Sequence, residues 1–174
     1  MNIPEVENAI ETLTLLVDTR EQPTPLFHRR MKAVGLPYER RKLGAGDYSA
    51  KVQLPDGDEL TLDNVFAIER KMSLDELAQN LTRGRARFER EFLRAKKAGT
   101  QMYLLVEGGS FEKVFRHQYR TQMHSSAFIA SITAWLVRYR CQIVFCDALT
   151  TPQIIREICK REAKEYLMGI VGGD

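Results

Sequence analysis

The segment that most constrains the fold is residues 64–81, where a short apolar run ends in the charged tripeptide ERK (69–71) and a helix begins two residues later. The β-branched and aromatic residues of the run predict a buried strand. Ser73 and Glu76 have the spacing of a capping box, which predicts a helix start at this point. A strand that passes directly into a helix is typical of an α/β fold.

Strands and helices alternate along the rest of the chain. Further strands are predicted at 12–18, 37–43, from 47 onward, at 102–109 and at 141–147, the last of these buried, and residues 55–59 have the composition of a hairpin turn. Helices are predicted at 25–34, at 74–98 with a bend or restart at Gly84, at 124–140, and at 151–168 with Thr151 as the cap. This order predicts an α/β fold with a mixed central sheet flanked by helices.

The composition indicates one ordinary globular domain. The chain has 174 residues, of which 44% are hydrophobic and 28% charged. No apolar run approaches the roughly 18 residues of a membrane span, and the acidic N-terminus lacks the profile of a signal peptide. The three cysteines have no zinc-site spacing, so we expect reduced thiols in an intracellular, cytoplasmic protein.

Basic residues are concentrated in two segments, although the net charge is only +3. Residues 83–97 contain seven basic residues and two acidic ones, and residues 113–146 contain five basic residues and no acid. Such segments suggest a polyanionic partner. Solvated helix faces explain the same pattern equally well at this point.

Acidic residues stand at the ends of three predicted strands. Because side chains alternate along a strand, Glu69 and Lys71 share one face. Asp47 begins another strand, and Asp18 ends the first. If these strands are neighbours in one sheet, their carboxylates meet at one edge and offer the oxygen ligands that Mg²⁺ or Mn²⁺ prefers. Taken singly, each residue is equally explained by a turn or a surface ion pair.

Four motifs then follow one another in a set order: VDTRE at 17–21, GDY at 46–48, ERKMSLDEL at 69–77 and LTRGR at 81–85. This series resembles the nuclease domain of the XPF-type structure-specific endonucleases, from about residue 13 to residue 146. The resemblance implies a restriction-endonuclease-like core. It also implies a single nuclease domain over residues 1–174, with a core at about 13–146 and a C-terminal helix at 151–168.

The resemblance implies a role for each motif residue. The implied catalytic residues are Asp18, Asp47, Glu69 and Lys71. Asp47 and Glu69 would bind Mg²⁺ or Mn²⁺ with the Arg70 carbonyl, Asp18 would be a further metal or water contact, and Lys71 would orient or activate the attacking water. The implied supporting residues are Arg20, Glu21, Arg70 and Asp75. The residues implied to contact DNA phosphates are Arg83, Arg85 and Arg87.

The chain also departs from the usual architecture of this family. Many members carry a C-terminal tandem helix-hairpin-helix module that binds DNA, and no such module follows the last predicted strand. We therefore expect a homodimer mate or another partner to supply additional DNA binding. The apolar stripe of Phe128, Ile132, Trp135 and Leu136 would serve in such a dimer, or would pack on the chain's own sheet.

The function that the resemblance implies is metal-dependent hydrolysis of DNA at branches, flaps or forks, in repair or recombination. The brevity of the chain suggests a prokaryotic or phage protein. The alternative is a catalytically silent DNA-binding or scaffold subunit, as in family members that have lost their acids. A sequence-specific restriction-type nuclease would need longer recognition loops. No phosphate-cradling glycine loop precedes a helix, which disfavours a nucleotide-binding enzyme.

Overall fold

The structure is a computed structural model and describes residues 1–172. Its strands are β1 (Thr14–Val17), β2 (Tyr38–Arg40), β3 (Tyr48–Gln53), β4 (Glu59–Thr61), β5 (Phe66–Lys71), β6 (Gln101–Glu107) and β7 (Gln142–Cys146). Its helices are α1 (Ile3–Glu11), α2 (Pro25–Val34), α3 (Leu74–Leu81), α4 (Arg85–Ala98), α5 (Phe111–Phe115), α6 (Ser125–Tyr139) and α7 (Thr151–Val171). The predicted α/β class is confirmed.

The strands form one mixed sheet in the order β2-β1-β3-β5-β6-β7, with β4 paired to β3 beside this path. β1 and β2 are parallel, as are β5, β6 and β7, whereas β3 is antiparallel to both β1 and β5. Strand β5 therefore lies inside the sheet, between β3 and β6. Residues 69–71, at the C-terminal end of β5, lie beside the N-terminal end of β3 and beside Asp47, which precedes β3.

Two apolar layers cover the two faces of the sheet. One layer packs α1, α2 and α7 on the face that carries Phe66 and Ile68 of β5. The other packs α3, α4 and α6 on the face that carries Ala67. Because side chains alternate along a strand, Glu69 and Lys71 lie on the same face as Ala67, and both are buried. The predicted sharing of one face is confirmed.

The predicted helix starts are observed with small differences. The Thr24 hydroxyl accepts a hydrogen bond from the Phe27 amide and caps α2. At α3 the Ser73 hydroxyl accepts from the Glu76 amide, but the Glu76 carboxylate accepts from the Met72 amide. Half of the predicted capping box is therefore formed. Helix α7 has Thr150 at its N-cap, one residue before the predicted cap.

Two helices were not predicted. Helix α1 is capped by Asn2, whose side chain accepts from the Glu5 amide while the Glu5 carboxylate accepts from the Asn2 amide. Its buried residues, Val6 and Ala9, join the layer formed by α2 and α7. Helix α5 is a short helix capped by the Ser110 hydroxyl.

The prediction that the last strand is buried was wrong. β7 is the outermost strand of the sheet, so one of its edges has no neighbouring strand, and its residues are half-buried or exposed. In contrast, Phe128, Ile132 and Trp135 of α6 are buried within the chain. The Trp135 ring stacks on Phe88 of α4, with 5.6 Å between ring centroids. These three residues therefore pack in the chain's own core and offer no surface to a dimer mate.

No helix within residues 1–172 is both long and apolar enough to cross a membrane.

Candidate active site

Asp47 links three strands at the edge where the predicted site lies. Its amide donates to the Ile68 carbonyl of β5 at 2.7 Å, and its carbonyl accepts from the Asp18 amide at 2.8 Å. Its Oδ2 accepts from the Arg70 amide at 2.8 Å. The carboxylate is thus held at the end of β5 by main-chain groups, which fixes its position without using the second oxygen.

Gly46 allows this close approach. Its φ is +70°, and a Cβ atom built on it would lie 2.8 Å from the Ile68 carbonyl oxygen. Side chains essentially never approach a backbone atom that closely, and the left-handed conformation disfavours residues with a Cβ. The GD pair is therefore a structural unit in which glycine brings the turn against β5 and the aspartate enters the site.

Glu69 and Lys71 form a buried ion pair next to Asp47. Lys71 Nζ donates to Glu69 Oε1 at 2.6 Å, and both side chains are less than a tenth exposed. The ammonium also lies 3.8 Å from Oε1 of Glu76 and 5.0 Å from the centre of the Phe88 ring. The two acids, Glu69 and Glu76, favour the charged form of this lysine, and its pairing with Glu69 orients it.

One cavity of about 260 Å³ brings three of the four predicted catalytic residues together. Asp47, Glu69 and Lys71 all contribute to its wall. The same wall contains Arg20, Glu21, Arg70, Met72, Glu76, Arg87 and Glu91. Of the three acids predicted to converge, Asp47 and Glu69 line this cavity together with Lys71, whereas Asp18 is not in its wall. The catalytic roles of these residues stay a prediction.

Two neighbouring acids with little access to solvent determine the electrostatics of this cavity. Burial, and then repulsion by Glu69, raise the pKa of Asp47 well above its ordinary value. Burial likewise raises the pKa of Glu69, although the Lys71 charge opposes the rise. For Lys71, burial alone would lower the pKa, but the pairing with Glu69 and the attraction of Asp47 and Glu76 together outweigh it, and the pKa is raised. The carboxylates therefore favour a nearby positive charge.

Asp47 and Glu69 each retain one carboxylate oxygen that could face a ligand in this cavity. Among the described residues, Asp47 Oδ1 and Glu69 Oε2 accept no hydrogen bond, so each acid has an oxygen for a ligand. The described chain contains no group of three His, Cys, Asp or Glu residues placed to bind a metal ion. Two carboxylate ligands suit Mg²⁺ when water and phosphate oxygens fill the remaining coordination positions, because Mg²⁺ is seldom held by protein ligands alone.

Asp18 has a different environment from the other predicted ligands. Its Oδ1 accepts from the Arg20 amide at 2.9 Å and from Arg20 Nε at 2.5 Å, and its Oδ2 accepts from the Leu43 amide at 2.8 Å. Burial alone would raise its pKa, but the hydrogen bonds from Arg20 and Leu43 outweigh burial and hold the pKa below its ordinary value. Its role as a ligand stays a prediction, and these hydrogen bonds favour a structural role.

Arg20 and Glu21, both predicted to support the site, belong to two neighbouring networks. Arg20 Nη2 lies 3.6 Å from Oε1 of Glu91, which also accepts from the Gly46 amide at 3.0 Å. Glu21 accepts from Arg30 at 2.8 Å, and Arg30 Nε donates to the hydroxyl of buried Tyr48 at 3.0 Å. Both networks hold the turn that carries Asp47.

The guanidinium of Arg70 pairs with Glu107 and joins β5 to β6. Its Nε and Nη2 donate to the two carboxylate oxygens of Glu107, each at 2.8 Å. Such a bidentate pair fixes orientation as well as distance. Because β5 and β6 are parallel, this pair secures both strands at their C-terminal ends.

Asp75 is not in the wall of the 260 Å³ cavity. It lies in the first turn of α3, and its Oδ1 accepts from the amides of Arg120 and Thr121 at 2.6 and 3.0 Å. It therefore holds the segment that precedes α6, about 45 residues along the chain.

The three arginines predicted to bind DNA have different surroundings. Arg83 and Arg87 line a second cavity of about 430 Å³ that also contains Glu69 and Lys71. Arg85 instead pairs with Glu89 at 3.1 Å, and its guanidinium lies 5.3 Å from the centre of the Trp135 ring. The geometry favours Arg83 and Arg87 over Arg85 for contact with a bound polyanion.

Sequence reasoning missed Glu91 and Glu107, the buried acids that hold Gly46 and Arg70. Glu91 interrupts the apolar stripe of α4, where it stands between Phe88 and Phe92. Glu107 ends a strand that is otherwise buried. An acid at a position whose neighbours predict burial is the signal that would have found both residues.

Comparison with known proteins places this site in a family. The family described as the ERCC4 domain matches residues 17–152. XPF from Aeropyrum pernix is similar in structure, with a TM-score of 0.61 and 19% identity over 85% of this chain and 60% of that chain. XPF from Aeropyrum pernix in complex with DNA gives a TM-score of 0.62 and 19% identity, over 87% and 66% of the two chains. No curated protein matches by sequence.

These similarities confirm the predicted restriction-endonuclease-like core, with its mixed sheet flanked by helices. The chain spans 60% of the first of these two structures. The matched segment contains all four motifs, VDTRE, GDY, ERKMSLDEL and LTRGR, in full.

Proposed function

We propose that this chain, which belongs to the ERCC4 domain family of XPF-type nuclease domains, is a metal-dependent endonuclease that hydrolyses phosphodiester bonds of DNA. One observation supports this most. Asp47, Glu69 and Lys71 line a single cavity, and each of the two acids has an oxygen that accepts no hydrogen bond from the described residues.

Asp47 and Glu69 would bind the divalent cation, which we propose to be Mg²⁺ or Mn²⁺. When bound, such an ion offsets negative charge on phosphate oxygens and makes water a better nucleophile at neutral pH. The two acids repel each other in a buried site, so a cation relieves the cost of keeping both ionised. The hydrogen bond from the Arg70 amide holds Asp47 in place for this task.

Lys71 would act as a fixed positive charge beside the reacting phosphate. Its raised pKa keeps it protonated at neutral pH, so it donates hydrogen bonds. Its pairing with Glu69 directs the ammonium into the cavity, and the nearby Phe88 ring limits solvent around it. A preorganised charge of this kind stabilises the charge that develops on phosphate oxygens during cleavage and orients the attacking water.

DNA would approach along the start of α4. Arg83 and Arg87 lie in the wall of the 430 Å³ cavity that contains Glu69 and Lys71, so phosphates held there would place the next phosphate of the strand at the acids. Contacts of this kind give affinity without reading base sequence. One of the similar structures is a complex with DNA, which supports DNA as the substrate class.

The preferred substrate would be branched, flapped or forked DNA, as in repair or recombination. A homodimer mate or another partner would add DNA-binding surface to this domain. Since the apolar residues of α6 are buried in the chain, such a partner would use other surfaces.

Cleavage assays on matched substrates test the proposal. Labelled flap, fork and linear duplex DNA would be incubated with the protein in Mg²⁺, in Mn²⁺ and in EDTA. We expect cleavage only with a divalent ion and preferentially at flaps or forks. Glu69→Gln and Asp47→Asn should abolish cleavage while DNA binding is largely retained, because the basic residues are unchanged. Cleavage by either purified variant would refute the assignment of the acids.

The alternative of a silent DNA-binding subunit is distinguished by the same assay. A protein that binds flap DNA with the expected salt dependence, but does not cut it under any metal condition, would support that alternative. A protein that neither binds nor cuts would refute both.

A further inference from the structure

We propose that the segment 116–124, here called the Asp75 loop, forms a second wall of the path followed by the DNA strand, and that Asp75 is the positioning residue that holds this wall. The inference rests on the proposed function and adds to it a binding surface outside the cavity of Asp47 and Glu69. The occupant is a single strand of nucleic acid, contacted through its phosphates.

The anchoring of the loop is unusual for a helix-terminal acid. A carboxylate in the first turn of a helix needs no partner beyond the free amides and the helix dipole. Here Asp75 Oδ1 reaches two consecutive amides of a distant segment, those of Arg120 and Thr121. One oxygen atom therefore sets the distance between α3 and the loop before α6.

The loop is also ordered by its own side chains. The Tyr119 ring lies 5.1 Å from the Phe128 ring of α6 and 4.2 Å from the His117 ring, centroid to centroid. The Tyr119 hydroxyl donates to the Met123 carbonyl at 2.7 Å. A surface that is already ordered loses less entropy when a ligand binds to it.

A groove connects this loop to the acids. The 430 Å³ cavity that contains Glu69 and Lys71 extends to Gln79 and Arg83. A neighbouring cavity of about 450 Å³ shares Gln79 and Arg83 and is lined on its far side by the Asp75 loop, through Arg120, Thr121, Gln122 and Met123. The two cavities thus share a boundary on the exposed side of α3, and together they lead from the candidate active site to the loop.

The chemistry of this groove suits a phosphate chain. The loop carries Arg116, His117, Arg120 and His124, and residues 113–146 contain no acid. Arg120 forms no ion pair with any described residue, so its charge is free for a ligand. A basic wall facing the basic start of α4 favours a polyanion between them.

Binding measured without metal tests the loop separately from catalysis. Fluorescence anisotropy of labelled oligothymidylate would be followed in EDTA across a range of salt concentrations. For Arg120→Ala we expect several-fold weaker binding and a salt slope reduced by about 0.7, the value for one phosphate contact on a single strand. The control is Arg161→Ala, since Arg161 is 70% exposed on α7, which packs on the other face of the sheet.

Asp75 needs its own pair of variants. Asp75→Ala removes the acceptor and should weaken oligonucleotide binding as Arg120→Ala does, with faster amide exchange at residues 120 and 121. Asp75→Asn keeps the Oδ1 acceptor and should retain most of the binding. If Asp75 contributes only to fold stability, Asp75→Ala should lower the melting temperature and leave the affinity for the oligonucleotide unchanged.

The outcomes separate the two proposals. If the unsubstituted chain binds oligothymidylate and Arg120→Ala binds as tightly as Arg161→Ala, the loop proposal is overturned and the proposed nuclease function is untouched. If the unsubstituted chain does not bind single-stranded DNA, the loop proposal also fails. The proposed nuclease function is then tested separately by cleavage of flap DNA.

Discussion

The amide of Arg70 donates a 2.8 Å hydrogen bond to Oδ2 of Asp47 and thereby connects the GDY and ERK motifs at one point. The neighbouring residues of the ERK motif, Glu69 and Lys71, lie on the opposite face of β5 from the Arg70 side chain. One tripeptide thus serves two purposes: its acid and ammonium line the cavity, and its central residue fixes Asp47 through the main chain and β6 through Glu107.

Lys71 can be separated from the metal ligands by substitution. Lys71→Met keeps most of the buried stem but removes the charge, so we expect cleavage to fall by about 10²–10³-fold, as for loss of one preorganised donor. The measurement is the single-turnover rate on flap DNA. Lys51→Met is the control, because Lys51 pairs with Glu39 and Glu59 away from the cavity. Equal rates for Lys71→Met and Lys51→Met would exclude a catalytic role for Lys71.

Divalent ions should stabilise the fold through Asp47. Without metal, ionised Asp47 is unfavourable because of burial and repulsion by Glu69, so Asp47→Asn should melt at or above the temperature of the unsubstituted protein at neutral pH. Saturating Mn²⁺ should raise the stability of the unsubstituted protein, by about 2.7 kcal/mol at one hundred times Kd.

Thermal denaturation with a Mn²⁺ titration measures both effects. Asp47→Asn should show little response to the ion. A shift of equal size in the variant would mean that Mn²⁺ binds elsewhere.

Asp18→Asn should destabilise the protein at neutral pH. It removes a buried charge that accepts hydrogen bonds from Arg20 and Leu43, a loss of about 1–3 kcal/mol. Because the folded pKa of Asp18 is below the ordinary value of about 3.9, its contribution is complete above that value and is lost as the pH falls through the folded pKa. The difference between variant and unsubstituted protein should therefore shrink in acid.

The free energy of unfolding of Asp18→Asn and of the unsubstituted protein, measured by urea denaturation over a pH series, checks this expectation. Asp58→Asn, at an exposed hairpin residue, is the control and should change stability by no more than about 0.5 kcal/mol. A pH-independent difference for Asp18→Asn would show that the charge of Asp18 is not what stabilises the fold.

Gly46→Ala should disturb the site as well as the fold. Both Gly46 and Gly57 have a positive φ, so alanine costs backbone strain of roughly 1 kcal/mol or more at either position. Only at Gly46 would the new Cβ approach a backbone carbonyl, at 2.8 Å, whereas Gly57 has open space around it. We expect Gly46→Ala to lose cleavage and Gly57→Ala to keep it. Comparable activity of the two folded variants would contradict this account of the turn.

Arg87 and Arg85 should contribute unequally to DNA binding. Arg87→Ala should weaken duplex binding and reduce the salt slope by about 0.9, the value for one phosphate contact. Arg85→Ala should have a smaller effect on binding and a larger one on stability, because Arg85 pairs with Glu89 and lies over Trp135. Anisotropy titrations and melting curves of both variants decide this. If Arg85→Ala weakened binding more than Arg87→Ala, the result would place the DNA nearer to α6.

The parts of this structure that follow a local pattern could be predicted from the sequence. The apolar run that ends at the ERK motif predicted β5, and the alternation of side chains along a strand predicted the shared face of Glu69 and Lys71. The GDY motif placed a glycine before Asp47, but the close approach to Ile68 that requires this glycine depends on which strands are neighbours. Helix α1 was missed even though Asn2 and Glu5 have capping-box spacing, because its charged residues hide the short apolar stripe.

The parts that depend on sheet order could not be predicted. The half-burial of β7 follows from its place at the edge, and the pairing of Arg70 with Glu107 follows from the neighbouring positions of β5 and β6. The hydrogen bond from Gly46 to Glu91 joins residues 45 apart. Single-sequence patterns contain no information on such pairings, whereas the family resemblance supplied the site residues.

The hairpin between β3 and β4 lies at the far end of β3 from Asp47. Its turn residues 55–58 are exposed, and Gly57 has no atom within 4 Å of an added Cβ. Insertions at such a tip leave the strand register unchanged when the flanking pairs are kept, here Lys51 with Thr61 and Gln53 with Glu59. A fluorophore or affinity peptide grafted at this tip would therefore report on DNA capture without perturbing the acids at the opposite end of the strand.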